Sequence, residues 1–192
     1  GAHVHTQTRC VGARRNKGLW ELNLERADGS LFSIRSKALV NAAGPWVAKF
    51  IKDDLKLDSP YGIRLIQGSH LIVPKLYDAP NAFILQNEDQ RIVFTIPYMD
   101  QFTIIGTTDR EYTGDPAKVS ITEEETDYLL NVVNAHFKQQ VSRSDILRTY
   151  SGVRPLCNDE SDNPSAVTRD YTLALSGAQG EAPLLSVFGG KL

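Results

Sequence analysis

Four apolar stretches between residues 63 and 105, each broken by turn-forming residues, constrain this chain more than any other feature. Ile63–Val73 reads as a strand interrupted by Gly68, and Ala82–Leu85, Arg91–Ile96 and Phe102–Ile105 follow it. They are rich in Ile, Val, Phe and Thr, side chains that fit a pleated, half-buried surface, so the block reads as a sequence-local meander. Pro97-Tyr98-Met99-Asp100 carries turn chemistry between its last two strands. One segment has a clear helical period: Leu129, Leu130, Val133 and Phe137 recur on one face. Ser120 or Thr122, with Glu123 and Glu125 behind it, supplies a capping box, so a helix is expected over residues 122 to 139.

Strand patterns continue on both sides. Trp20, Leu22 and Leu24 alternate with polar neighbours, Asp28-Gly29 marks a hairpin, and Leu31–Ile34 returns the strand. Lys37–Gly44 reads as a fully buried strand entering a tight turn, followed by a short helix over Trp46–Lys52 with Pro45 in its first turn. Residues 53 to 60 form a polar connector. Beyond the main helix, Ile146–Val153, Tyr171–Leu175 and Leu184–Phe188 read as strands around the acidic loop 158–162. The expected class is α+β: a mixed, largely antiparallel sheet with the helix on one face.

Charge and cysteine usage narrow the function classes. Lys and Arg number 21 against 23 Asp and Glu, a net charge of -2, which excludes a generally basic, nucleic-acid-coating surface. No apolar run approaches the roughly 18–20 residues of a bilayer-spanning helix. Cys10 and Cys157 lie far apart, which points to two structural thiols in a reducing compartment and away from disulfides or zinc. His3, His5 and His136 form no metal-ligand spacing, so no metal is expected. The lack of an initiator Met, the strand pattern at the start and the stop just after Gly189-Gly190 read as a piece of a longer protein.

Several residues can carry chemistry. Asn41-Ala42-Ala43-Gly44 is a small-residue turn that lets a backbone or a flat cofactor approach closely, or simply a tight turn. His70 sits in an apolar strand near Gly68, either as a satisfied core histidine or as a proton acceptor near neutral pH. Arg154 stands at a strand end, just before Pro155, where its rigid fork suits a planar anionic group. Arg169 is either a partner for Asp170 or Asp162 or part of an anion pocket with Arg154 and Lys191. Gly189-Gly190-Lys191 is not a Walker A motif, although its backbone N–H groups can approach a phosphate or ring, and no GxGxxG occurs. The Thr107-Thr108-Asp109 turn and the Asp159, Glu160, Asp162 cluster receive no role.

The blocks LVNAAGPWVAKF, YGIRLIQGSHLIVP, ILQNEDQRIVFTIPYMDQFTIIGTTDREYTGDP, YSGVRPLCNDESDNPSAVTRDYTL and LLSVFGGKL resemble the bacterial aerobic glycerol-3-phosphate dehydrogenases. These are FAD-dependent flavoproteins of the glutathione-reductase-like, D-amino-acid-oxidase type, and the resemblance spans essentially all 192 residues. It implies that 1–59 is part of the FAD domain, 60–168 a substrate-binding domain, and 169–192 strands returning to the FAD domain. It implies oxidation of sn-glycerol 3-phosphate to dihydroxyacetone phosphate, with hydride passing to FAD and electrons to quinone.

By the same resemblance Arg154 and Lys191 lie near the reacting carbon, and His70 lies in their pocket as a base or hydrogen-bond partner. Arg169 becomes a phosphate ligand. Asn41, Ala42, Ala43 and Gly44, with Gly189 and Gly190, pack beside FAD. The family's GxGxxG loop is missing here, so this chain alone is not expected to retain FAD. Peripheral attachment to the inner face of the cytoplasmic membrane belongs to the parent protein, and homodimerisation stays open. The alternatives are a related oxidase using oxygen, and a β-rich binding module without catalysis.

Overall fold

A computed structural model describes residues 1–157 and 170–190. Arg169, Lys191 and the acidic stretch 158–162 lie outside the described residues. The strands are β1 (Thr8–Asn16), β2 (Leu19–Arg26), β3 (Leu31–Ser36), β4 (Leu39–Asn41), β5 (Ile63–Pro74) and β6 (Phe83–Gln86). They continue as β7 (Ile92–Tyr98), β8 (Phe102–Gly106), β9 (Arg110–Tyr112), β10 (Arg148–Cys157), β11 (Tyr171–Ser176) and β12 (Leu184–Gly189). The helices are α1 (Val47–Lys49), flanked by a 3-10 turn over Gly44–Trp46 and a π turn over Phe50–Asp54, and α2 (Glu123–His136). The chain is thus mixed α+β with mainly antiparallel sheets, as the sequence patterns imply. It divides into two compact units.

The first unit holds residues 1–64, 155–157 and 170–190 of the described chain. β1, β2 and β3 form an antiparallel meander, with Leu22 opposite Ile34 and Leu24 opposite Phe32. Trp20, Leu22 and Leu24 point from it into a core shared with Leu55, Ala182 and Leu184. The expected hairpin is present: Gly29 takes φ 79, and the Ser30 amide donates to Asp28 Oδ1 at 2.9 Å. β12 pairs antiparallel with β11 and parallel with β4. The fully buried strand expected over Lys37–Gly44 is instead a three-residue strand. Its Val40 is 60% exposed while Asn41 is buried, because only one side of so short a strand meets the core.

The second unit holds residues 65–154. Its sheet runs β10-β5-β8-β7-β6, with β9 also on β5. Leu71, Val73, Val93 and Ile105 leave one face of the sheet and pack with Leu129, Leu130, Val132 and Val133 of α2. Thr122 caps α2 as expected: its Oγ1 accepts from the Glu125 amide and its own amide donates to Glu125 Oε2. The helix ends at His136 and not at 139, since Phe137 turns extended and stacks on Tyr77, ring centroids 5.3 Å apart.

Two expectations about strands need correction. Gly68 does not interrupt β5; it lies where the strand changes partner, from β9 over Leu65–Gln67 to β8 over His70–Pro74. Arg154 is not at a strand end either, for β10 continues through Pro155 to Cys157. β10 is an edge strand, where a residue without an N–H is tolerated. The β7–β8 turn places Met99 and Asp100 at φ 49 and 58, left-handed conformations that hairpins usually fill with Asn or Gly.

Candidate functional site

Period two sends alternate residues of β5 to opposite faces. Gly68, His70 and Ile72 therefore share the face turned away from α2, while Gln67, Ser69 and Leu71 point toward it. His70 stands directly opposite Gly106 of β8, and its ring lies over that glycine. A Cβ on Gly106 would collide with the imidazole, coming within 2.7 Å of Cγ. On its other side the ring stacks on Tyr150, with centroids 4.6 Å apart and planes 3° from parallel. The imidazole is thus held in a slot between a bare backbone and a phenol. Burial, reinforced by the nearby Arg154 charge, holds its pKa below the usual histidine range and favours the neutral ring. Its Nδ1 is buried without a hydrogen-bond partner.

Arg154 reaches over Gly68. A side chain there would strike the guanidinium and stand 2.7 Å from Thr107 Oγ1. Nη1 donates to the Asp109 carboxylate and Nη2 to Thr107 Oγ1 at 2.9 Å. The Arg154 side chain is only 18% exposed, so this pairing is far more constrained than a solvated surface bridge. Both acceptors come from the turn after β8, whose Gly106–Thr107 peptide is cis.

Beneath that turn lies a buried carboxylate. Glu125, 5% exposed, accepts from Ser69 Oγ at 2.9 Å, Gln67 Nε2 at 2.7 Å, the Thr122 amide, and the Thr108 hydroxyl in a short bond. Thr108 Oγ1 in turn accepts from the Ser69 amide at 2.9 Å, and Ser69 Oγ lies 2.9 Å from Ser151 Oγ. Sequence reasoning gave the Thr107–Asp109 turn no role and used Glu125 only as a cap. A usable signal was present: Gln67 and Ser69 are polar at positions where the pattern requires core residues.

The first unit gathers the other residues singled out. β4 and β12 are parallel, so the turns that follow them, Ala42–Gly44 and Gly189–Gly190, leave the same edge. The carboxyl ends of parallel strands are where open α/β sheets take ligands. Gly44, Gly189 and Gly190 have φ 55, 70 and 88, and a Cβ at Gly44 would meet nothing within 4 Å. The Asn41 side chain turns inward, donating to the Val47 carbonyl at 3.0 Å and accepting from the Ala43 amide. The open space at Gly44, beside the small residues Ala42 and Ala43, suits a flat, extended group such as a dinucleotide, whereas Gly189 and Gly190 pack on Asp170, Cys157 and Tyr171.

Among the described residues no three His, Cys, Asp or Glu gather as a metal site, and no helix is long and apolar enough to cross a membrane. A family model described as FAD dependent oxidoreductase matches residues 1–192. The chain is 82% identical over 192 residues to glycerol-3-phosphate dehydrogenase of Pseudomonas tolaasii, covering all of this chain and 37% of that protein. It is 45% identical over 193 residues to D-erythritol 1-phosphate dehydrogenase of Brucella abortus, covering all of this chain and 38% of that protein. Among solved structures, the FAD complex of glycerol-3-phosphate dehydrogenase from Bacillus halodurans superposes with TM-score 0.78 at 27% identity. That match covers 96% of this chain and 35% of the other. The chain therefore spans little more than a third of the length of these relatives.

Proposed function

The chain belongs to the FAD dependent oxidoreductase family, and from that premise we propose that the whole protein oxidises sn-glycerol 3-phosphate to dihydroxyacetone phosphate. The observation that carries this reading is the 82% identity, over every residue of the chain, to a protein named for that activity. In this reading residues 60–168 form the substrate-binding part, and 1–59 with 169–192 belong to the FAD domain. Quinone takes the electrons, and the whole protein works at the inner face of the cytoplasmic membrane.

FAD is the family's cofactor, and the small-residue turns fit it: Ala42, Ala43, Gly44, Gly189 and Gly190 would lie against it. When bound, FAD would supply the acceptor for the hydride of the carbinol carbon. The chain's own residues manage the oxygen and its proton. As the C–H bond electrons leave, the O–H proton must depart and the C–O bond becomes a carbonyl. Neutral His70 takes that proton on an imidazole nitrogen. Arg154 donates to the same oxygen and holds it in one place while charge redistributes. Arg169 holds the phosphate, a dianion suited to a cation, and Lys191 stands with Arg154 near the reacting carbon.

The test is anaerobic reduction of the whole, FAD-loaded protein by glycerol 3-phosphate, then dye and quinone reduction. Release of hydrogen peroxide with oxygen as sole acceptor would favour an oxidase. The 45% identity to D-erythritol 1-phosphate dehydrogenase favours a second reading, a longer polyol phosphate as substrate. A higher kcat/KM for erythritol 1-phosphate would establish it. Arg154→Lys should fold normally and lose about a hundredfold in kcat/KM, since an ammonium cannot reproduce the planar fork. Near-normal turnover would remove Arg154 from the site.

A further inference from the structure

We infer that Asp109, anchored through Thr108 by the buried carboxylate of Glu125, is the positioning residue that sets where the Arg154 guanidinium meets the substrate oxygen. The inference rests on the proposed role of Arg154. It adds a chain of residues, none of which touches substrate, that runs from the first turn of α2 to that guanidinium.

An arginine has four rotatable side-chain bonds, and an unheld one samples many poses. Arg154 is held on two sides, by the Asp109 carboxylate and by Thr107 Oγ1. Both acceptors belong to one short turn, so the pose of Arg154 is only as fixed as that turn. The turn is fixed in the middle. Thr108 Oγ1 accepts from the Ser69 amide of β5 and donates to Glu125 Oε1. Glu125 is in turn held by Gln67 and Ser69 of β5 and by the Thr122 amide at the head of α2. A carboxylate is favoured there by the helix N-terminus.

The arrangement exceeds what a helix cap requires. Capping α2 uses the reciprocal bonds of Thr122 and Glu125. The donors from Ser69, Thr108 and Gln67 are additional, and they tie the cap to β5 and to the turn. Burying a carboxylate is costly unless several donors satisfy it, and here they all converge beneath the one turn that grips Arg154. Asp109 also balances the Arg154 charge, so the guanidinium stays buried as half of a pair beside His70.

A double-mutant cycle in the whole, FAD-loaded protein separates positioning from general support. Asp109→Asn should lower the rate of flavin reduction by glycerol 3-phosphate about tenfold, the loss expected for one charge-assisted bond. Thr108→Val leaves the α2 cap intact and should lower the rate about threefold, with KM changed by less than about twofold in both variants. In an Arg154→Ala background each effect should shrink to less than about twofold, because the residue being positioned is gone. Equal losses in both backgrounds would overturn the inference. Crystal structures of the two variants give a readout without turnover: the guanidinium should leave the turn, and an unmoved guanidinium would also overturn it. If wild-type protein fails to react with glycerol 3-phosphate, the substrate reading falls while the crystal structures still decide this one.

Discussion

Glycine does two different jobs in the two units of this chain. In the first, Gly44, Gly189 and Gly190 are placed for their backbone: all three have positive φ, and in front of Gly44 there is open space. In the second, Gly68 and Gly106 are ordinary strand residues whose missing Cβ is filled by the chain's own Arg154 and His70. At Gly44 the room is left open, whereas Gly189 and Gly190 already lie against Asp170, Cys157 and Tyr171, and the second set has used its room to seat the side chains of Arg154 and His70. A glycine in a strand therefore signals close approach without saying whose atoms approach.

The contrast can be broken by adding one methyl group at a time. The largest effect belongs to Gly106→Ala. His70 is trapped between this position and Tyr150, so the ring must leave its slot. Turnover should drop about a hundredfold or more if His70 accepts the proton, and overpacking should cost about 1–3 kcal/mol in urea unfolding. Next comes Gly68→Ala, which strikes the far end of a flexible side chain. Arg154 should be displaced with little change in the unfolding midpoint, and kcat should fall about tenfold. A loss of stability as large as that of Gly106→Ala would mean that Gly68 is a packing residue.

Gly44→Ala should behave differently in kind. No atom of the described chain obstructs the new methyl group, so before FAD binds only the left-handed backbone resists it, at about 1–2 kcal/mol. The kinetic constants of the FAD-loaded fraction should stay within about twofold of wild type. A collapse of kcat there would erase the distinction between the two sets.

The smallest effect is one of pH. His70 titrates below the usual histidine range, first through burial and then through Arg154. The unfolded chain therefore takes up this proton before the folded one as pH falls through about 6.5. Stability should decline as pH drops through that value, and His70→Gln should flatten the decline in urea midpoints. Arg154→Met should raise the His70 pKa in an NMR titration, but only modestly, since burial is the larger cause. No shift at all would remove the Arg154 charge from the account of His70.

Most elements were legible because their signals are local. Trp20, Leu22 and Leu24 alternate, Asp28-Gly29 turns, and Thr122 with Glu125 caps. β9 was not foreseen, since Arg110-Glu111-Tyr112 has no apolar alternation and forms a strand only because β5 offers it an edge. Pro155 misled for a related reason: proline stops a central strand, and whether β10 is central or an edge depends on pairings far away in sequence. At the site, His70 and Arg154 were recognisable as residue types with chemistry. Their holders, Gly106, Tyr150 and Asp109, lie 36, 80 and 45 positions away from the residues they hold, and no spacing rule joins them.

The Arg154–Asp109 pair has one more consequence, for how far the charge of the guanidinium reaches. Seen from afar, a guanidinium locked to a carboxylate is a small dipole whose field dies away faster than that of a free cation. Beyond a Debye length of about 8 Å at physiological ionic strength, even a free cation is largely screened. Under the proposed function, electrostatic steering of an incoming phosphate ester therefore falls to other cations, and adding salt should slow capture more than it weakens a contact that Arg154 makes at close range. Under the proposed function Arg154 acts at contact range, as a fixed gauge for one atom, and adds little to the approach.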